Sequence, residues 1–218
     1  MFTYILFDLD GTISDPKIGI TSCVQYALRQ MGIEEPDPDR LEPFIGPPLG
    51  DSFIEFYGFT QEQAEKAVAA YREKYAVKGL YENELYPGMD GMLRALKKAG
   101  RRLAVASSKP EPFVIRILEH FHILEFFEVV TGSGLDGSRS SKEEVVEETL
   151  KRFFGADSVP RDEIVMVGDR KFDVTAAKEA GLHSIGAAYG YARPGELEKA
   201  GAERIVKDVE ELKQVLLK

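Results

Sequence analysis

Short apolar runs alternate with longer amphipathic segments over much of the chain. The runs are apolar at consecutive positions, which is typical of strands buried on both faces. They occupy positions 3–8, 102–107, 127–132, 163–168 and 183–188. Apolar residues three and four positions apart predict helices over 88–100, 112–121, 142–154 and 171–181. This alternation predicts an α/β fold, in which a doubly wound parallel sheet is covered by helices.

A long interruption follows the first strand. Within it, residues 19–32 and 60–79 have helical spacing, whereas 34–40 and 45–53 are rich in Pro, Gly and Asp and are interpreted as loops. No strand of comparable strength is predicted there. We therefore expect an α-helical domain at 15–85, inserted into a core formed by 1–14 and 86–218.

Composition narrows the class of protein. The 218 residues are 44% hydrophobic and 30% charged, which is typical of a globular protein. The net charge is −9 and the basic residues are dispersed, so neither a nucleic-acid polymer nor a membrane is expected as partner. Cys23 is the only cysteine, and neither a signal peptide nor a transmembrane segment is recognisable. We expect a cytoplasmic protein that is a monomer or a weak homodimer.

Polar residues follow the predicted strands where a ligand crevice is expected. In an open α/β sheet, this crevice lies beyond the carboxyl ends of the strands. The candidates are Asp8 and Asp10 after the first strand, Ser107, Ser108 and Lys109 after the second, Lys142 after the third, and Asp169 and Asp173 after the fourth. Clustered carboxylates repel one another unless a cation neutralises them, and oxygen ligands in small number favour Mg²⁺. His120, His122 and His183 suggest no zinc site, so structural roles are expected for them.

This set of side chains suits phosphoryl transfer. A carboxylate beside Mg²⁺ can attack phosphorus, and a second carboxylate can protonate the leaving oxygen and then deprotonate water. Hydroxyl, lysine and backbone N–H groups can hold the phosphoryl oxygens in the transition state.

Four motifs resemble those of the haloacid dehalogenase-like hydrolases, and specifically their capped phosphatases. They are "FDLDGT" at 7–12, "VASSKP" at 105–110, Lys142 within "RSSKEEV", and "VMVGDRKFD" at 165–173. The resemblance implies a Rossmann-like core and a cap at 15–85 that closes over the substrate and sets specificity. An aspartate at position 10 favours a phosphatase or phosphomutase, because dehalogenating members lack it.

The resemblance also implies a role for each motif residue. Asp8 would be the nucleophile and Asp10 the general acid and base, while Lys142 would balance charge. Ser107, Ser108 and Gly11 would bind the phosphate. Mg²⁺ would be held by Asp8, Asp169 and the backbone carbonyl of Asp10, with Asp173 acting through a bound water. In the cap, "FIGPPLGDSF" at 44–53 resembles a segment of phosphoglycolate phosphatase and 5′-nucleotidase-like members, and Gly46 and Pro47 would shape a loop facing the phosphate.

The sequence therefore predicts a Mg²⁺-dependent phosphatase that acts on a small phosphate monoester through an aspartyl-phosphate. Phosphoglycolate and nucleoside 5′-monophosphates are the leading candidate substrates. A sugar phosphomutase of the β-phosphoglucomutase type is the nearest alternative, and a non-catalytic phospho-acceptor regulator is another. "GSGLDG" at 132–137 also matches a dinucleotide-binding glycine spacing, but "SRSS" delays the helix that such a site requires. Lys109 and Arg170 flank the site and are expected to be exposed.

Overall fold

The computed structural model describes all residues from 1 to 218, and they form two compact units. The first unit comprises Met1–Asp15 and Leu85–Lys218, and the second comprises Pro16–Glu84. These bounds differ by one residue at each crossing from the domain bounds expected from sequence. No helix in the protein combines the length and apolar character needed to cross a membrane.

A six-stranded, all-parallel sheet forms the centre of the first unit. Its spatial order is β5-β4-β1-β6-β7-β8. These strands are β1 (Tyr4–Phe7), β4 (Arg102–Pro110), β5 (Phe127–Ser133), β6 (Ile164–Gly168), β7 (His183–Ala187) and β8 (Arg204–Val206). The two remaining strands, β2 (Ser14–Asp15) and β3 (Glu84–Leu85), pair with each other. The predicted α/β class is confirmed, and each of the five predicted strands occurs.

The helices of the first unit lie between its strands, except the last helix, which follows β8. They are α4 (Met89–Lys98), α5 (Glu111–His120), α6 (Lys142–Phe154), α7 (Lys171–Glu179), α8 (Glu196–Ala200) and α9 (Val209–Leu217). The segments β8, α8 and α9 were not predicted from sequence. β8 has only three residues and begins with an exposed arginine, so it lacks the apolar run that marks the other strands.

Strand β1 lies at the point where the chain connections change direction across the sheet. It pairs with β4 on one side and β6 on the other, so Phe7 is in register with both Val105 and Val167. Ile5, Leu6 and Phe7 are fully buried, as expected for a strand covered on both faces. Their carboxyl end is therefore held rigidly at the switch point, which is where ligands bind in such sheets.

The second unit is helical. It contains α1 (Lys17–Gln30), α2 (Leu49–Tyr57) and α3 (Gln61–Val77), with 3₁₀ segments at Pro38–Phe44 and Gly79–Tyr81. The loop expected at 45–53 is wrong over its second half, because α2 begins at Leu49. Pro48 is the N-cap residue of this helix, and the Phe53 ring packs 5.0 Å from that of Phe44. The Gly-Pro-Pro sequence thus directly precedes a helix, although the composition of 45–53 suggested a loop throughout.

The burial of β1 predicts a large loss of stability when its core is truncated. Leu6→Ala should lower the free energy of unfolding by about 2–5 kcal/mol, because it leaves a cavity beneath β1. Leu135→Ala, at a residue 47% exposed, should change it by less than about 0.5 kcal/mol. Urea unfolding measures both, and equal losses would contradict the placement of Leu6 in the core.

Candidate active site

The carboxyl ends of β1, β4 and β6 bring together residues that are distant in sequence. Asp8 immediately follows β1, and its backbone N–H donates to the Val167 carbonyl at 2.9 Å, which extends the parallel ladder. Ser107 lies within β4, and Asp169 immediately follows β6. Because these strands are neighbours, the polar residues at their ends share one edge of the sheet.

Three buried carboxylates form the centre of this edge. Asp8, Asp169 and Asp173 each offer an oxygen, and these oxygens lie within 4.8 Å of one another. Asp173 reaches the cluster from the first turn of α7, and a Cβ at Gly168 would lie only 2.0 Å from its carboxyl carbon. The glycine at the end of β6 is therefore required for the close approach of Asp173.

Lys142 lies between two of these carboxylates. Its Nζ is 2.9 Å from Asp8 Oδ1 and 2.9 Å from Asp173 Oδ1, and it donates to the Ala106 carbonyl at 3.1 Å. Burial by itself would lower the lysine pKa, but the carboxylates of Asp173 and Asp8 raise it above its ordinary value. Lys142 is therefore a permanent cation inside the acidic cluster.

The start of α6 explains the position of Lys142. Ser141 is the N-cap residue, and it forms a capping box in which its hydroxyl accepts from the Glu144 N–H while the Glu144 carboxylate accepts from the Ser141 N–H. This motif fixes the first turn of the helix. The lysine at the first helical position is directed into the core of the site despite the unfavourable helix dipole.

Asp10 has a different environment from Asp8. Its Oδ2 is 2.7 Å from Lys109 Nζ, whereas its buried Oδ1 has no hydrogen-bond partner. Burial raises the Asp10 pKa, and the charge of Lys109 opposes that shift. The expectation that Lys109 is exposed is wrong, since its side chain is only 6% exposed. β4 continues through Pro110, so Lys109 belongs to the strand and not to a surface loop.

Asp169 and Asp173 also have raised pKa values. Burial is the main cause for both. For Asp169, the nearby charges of Asp173 and then Asp8 add to the increase. Burial raises the Asp173 pKa to about 6, although Lys142 opposes the shift. Burial, and for Asp169 the neighbouring carboxylates as well, therefore disfavours the ionised forms of these two acids in the protein alone.

The predicted phosphate-binding residues lie in two places. Ser107 is buried beside the cluster, its hydroxyl accepts from the Lys109 N–H at 3.4 Å, and Ser108 follows it in β4. Gly11 has a φ of +81°, and a Cβ there would lie 2.1 Å from Asp169 Oδ2. Gly46 and Pro47 belong to the second unit, where they lie in the turn before α2 and Gly46 has a φ of +104°. Their contact with a substrate stays a prediction.

Arg170 is the second charged residue whose environment was predicted wrongly. It is 7% exposed, and its Nε donates to Glu196 Oε1 at 2.9 Å. Glu196 also accepts from the backbone N–H groups of Lys171 and Arg193. The sequence near Arg170 does not indicate this partner, because Glu196 lies in α8, which a strand and a loop separate from α7.

The segment 132–137 does not form a dinucleotide-binding turn. β5 extends through Ser133, and the loop after it is closed by a hydrogen bond from the Gly134 N–H to the Ser138 carbonyl at 2.7 Å. The next helix begins only at Lys142. No glycine of this segment lies in the first turn of a helix, which the fingerprint requires.

Comparisons with known proteins agree with the geometry. A family model described as haloacid dehalogenase-like hydrolase matches residues 5–187. The chain belongs to the haloacid dehalogenase-like hydrolases. The resemblance drawn from its motifs is confirmed, and the protein is an enzyme of this hydrolase family.

Relatives of this hydrolase include proteins with different names. A 5′-nucleotidase of Pseudomonas aeruginosa is 43% identical over 97% of this chain and 94% of its own length. A tyrosine-protein kinase, PtkA of Mycobacterium tuberculosis, is 37% identical over 97% of this chain and 72% of its own. A phosphoglycolate phosphatase of Aquifex aeolicus is 30% identical over 87% of this chain and 86% of its own length. A solved structure, described as a predicted phosphatase of Clostridium acetobutylicum, has a TM-score of 0.94 at 41% identity and covers 100% of this chain and 99% of that one.

The position of Lys142 predicts a stability cost when its charge is removed. Lys142→Met should lower the free energy of unfolding at pH 7 in EDTA by about 3–5 kcal/mol, because it leaves buried carboxylates unpaired. Lys151→Met changes an exposed lysine of the same helix and should have little effect. Urea unfolding compares the two variants, and equal losses would show that Lys142 does not compensate the cluster.

Proposed function

We propose that this hydrolase is a Mg²⁺-dependent phosphatase that cleaves small phosphate monoesters through an aspartyl-phosphate at Asp8. The observation that carries the proposal is the buried cluster of Asp8, Asp169 and Asp173 around Lys142 at the switch point of the sheet. The phosphatase and nucleotidase names of the relatives support the same class of reaction.

The residues fit a divalent cation with oxygen ligands. The four aspartates carry four negative charges when ionised, and Lys109 and Lys142 supply two positive charges within 3 Å of them. The excess is then two negative charges, and the charges of Asp173 and Asp8 add to the increase that burial causes in the Asp169 pKa. Asp8, Asp169 and the Asp10 carbonyl would hold Mg²⁺, with Asp173 acting through water. When bound, the ion would neutralise this excess and polarise the phosphoryl oxygens.

Asp8 is the nucleophile in this proposal. Its Oδ1 accepts from the Leu9 N–H at 2.7 Å and pairs with Lys142, so we assign Oδ2 as the attacking oxygen. Attack forms an oxygen–phosphorus bond as the bond from phosphorus to the ester oxygen breaks. Lys142 offsets the negative charge of the nucleophile and the phosphoryl group. Ser107, Ser108 and the backbone at Gly11 are the proposed phosphate ligands.

Asp10 moves the protons of both steps. It gives a proton to the departing ester oxygen, and then accepts one from the water that hydrolyses the aspartyl-phosphate. The buried Oδ1, which has no partner within the protein, is the atom available for this transfer. Lys109 holds the other oxygen at 2.7 Å and so limits rotation of the carboxyl group.

The second unit, Pro16–Glu84, is the proposed cap that sets substrate preference, with the turn at Gly46 and Pro47 facing the phosphate. Nucleoside 5′-monophosphates and phosphoglycolate are the proposed substrates, and the 43% identity to a 5′-nucleotidase supports testing the nucleotides first. A β-phosphoglucomutase-type enzyme would use the same motifs. The kinase relative adds phosphate transfer to tyrosine as a competing reaction.

A panel of phosphate esters tests the proposed activity. Phosphate release from nucleoside 5′-monophosphates, phosphoglycolate, β-glucose 1-phosphate and p-nitrophenyl phosphate should require Mg²⁺ and stop in EDTA. Values of kcat/KM should be highest for one of the first two classes. Glucose 6-phosphate formed without phosphate release would support the mutase instead. No turnover of any ester, or phosphotyrosine formed from ATP and a peptide, would contradict the proposal.

Asp8→Asn should lower kcat by at least about a thousandfold, because an amide of nearly the same shape is a poor nucleophile. Asp157→Asn, at an exposed loop aspartate of the same unit, should retain wild-type kcat. Steady-state phosphate release measures both variants, and circular dichroism verifies that they fold. Substantial turnover by Asp8→Asn would remove Asp8 from the reaction.

Asp10→Asn should lower kcat/KM by different factors for esters with different leaving groups. We expect kcat/KM to fall about a hundredfold or more for an alkyl phosphate, whose oxygen needs a proton, but less than about tenfold for p-nitrophenyl phosphate. The comparison uses the same enzyme preparation and Mg²⁺ concentration. Equal losses for both esters would mean that Asp10 does not protonate the leaving group.

A further inference from the structure

The loop that follows β7 contains a segment, Tyr189–Gly190–Tyr191, to which the sequence assigned no role. It packs against two parts of the candidate site, the turn after β1 and the carboxylate of Asp169. All of these residues belong to the first unit. The segment therefore contacts residues that form the site.

Both oxygens of the Asp169 carboxylate are held by hydrogen bonds. The Tyr191 backbone N–H donates to Oδ2 at 2.7 Å, and the Thr12 hydroxyl donates to Oδ1 at 3.3 Å. Asp169 is fully buried, so these donors replace water that the carboxylate would otherwise bind. Together they fix the rotation of the carboxylate plane.

Gly190 allows this approach because it has no side chain. A Cβ at this position would lie 2.3 Å from the Gly11 carbonyl oxygen, 2.4 Å from Asp169 Cβ and 2.6 Å from Asp169 Oδ2. A Cβ at Gly11 would likewise lie 2.1 Å from Asp169 Oδ2. The carboxylate is thus enclosed between two glycines on different loops.

Two tyrosine hydroxyls anchor the segment on either side of Gly190. The Tyr189 hydroxyl donates to the Thr12 carbonyl at 2.9 Å, and its ring packs edge-on against Tyr86 at 4.9 Å. The Tyr191 hydroxyl donates to Asp15 Oδ1. Burial raises the Tyr189 pKa, with a further contribution from Asp169, so this hydroxyl stays protonated as a donor. These bonds hold the backbone of the segment against the β1 turn.

We propose that Tyr189–Gly190–Tyr191 is a positioning segment that orients the Asp169 carboxylate and thereby sets the affinity of the site for its divalent cation. The inference rests on the proposed function for the identity of the cation, Mg²⁺. None of the three residues takes part in the chemical steps. They would act on the cation indirectly, through the Asp169 carboxylate. The Tyr191 N–H donates to this carboxylate, and Gly190 leaves room for it.

The test measures Mg²⁺ binding to the full-length, metal-free protein by calorimetry, without substrate. Gly190→Ala should raise the Kd for Mg²⁺ by about tenfold or more, because a Cβ would displace the Asp169 carboxylate and disturb its supporting hydrogen bonds. Gly91→Ala is the matched control, because Gly91 lies in α4 with no atom within 4 Å of a Cβ, and its Kd should equal that of the wild type. The rise in Tm on adding Mg²⁺ should shrink in Gly190→Ala alone.

A second variant keeps the test valid if Gly190→Ala fails to fold. The double substitution Tyr189→Phe and Tyr191→Phe removes only the two anchoring hydroxyls, and it should raise the Kd about three- to tenfold while saturating Mg²⁺ restores kcat. A general structural defect would lower kcat at every Mg²⁺ concentration, and that result would overturn the positioning role. A wild-type Kd in the folded variants would overturn the inference alone. Absence of Mg²⁺ binding to the wild-type protein would overturn the proposed cofactor and the inference together.

Discussion

Mutual repulsion between buried carboxylates is the constraint on which the site depends. Asp8, Asp169 and Asp173 lie within 4.8 Å of one another in a place that water does not reach freely. Such an arrangement is unstable unless fixed positive charges lie next to the carboxylates. Lys142 meets this requirement from α6, with contacts of 2.9 Å to two of the three. The negative charge that the lysines do not neutralise is the basis of the proposed cation site.

The parallel sheet makes this concentration of charge possible. Adjacent strands end at the same edge, and β1 is in register with both β4 and β6, so residues from distant motifs meet without long loops. Glycines then allow closer approach than other residues permit. Gly168 makes room for Asp173, while Gly11 and Gly190 enclose Asp169. The energetic cost of the charges is thus offset by a core that stays rigid because Ile5, Leu6 and Phe7 are fully buried beneath them.

The sequence predicts the features that are encoded locally. Consecutive apolar residues identify the five main strands, and the residues after them identify the acidic cluster. It does not predict the ion pairs that residues beside the cluster form with other elements. Lys109 and Arg170 look like surface charges because their partners, Asp10 and Glu196, lie on other elements. Tyr191 contributes through its backbone N–H, which carries no signature in the sequence. The start of α2 was missed because Gly46, Pro47 and Pro48 have the composition of a turn.

Trapping the covalent intermediate is the most direct test of Asp8 as the proposed nucleophile. Sodium borohydride added during turnover reduces an aspartyl-phosphate to homoserine, and peptide mass spectrometry locates the changed residue. We expect homoserine at position 8 and at no other aspartate, and its formation should depend on substrate and Mg²⁺. Continued phosphate release with an unchanged Asp8, or with the modification at a different aspartate, would contradict the assignment of Asp8 as the nucleophile.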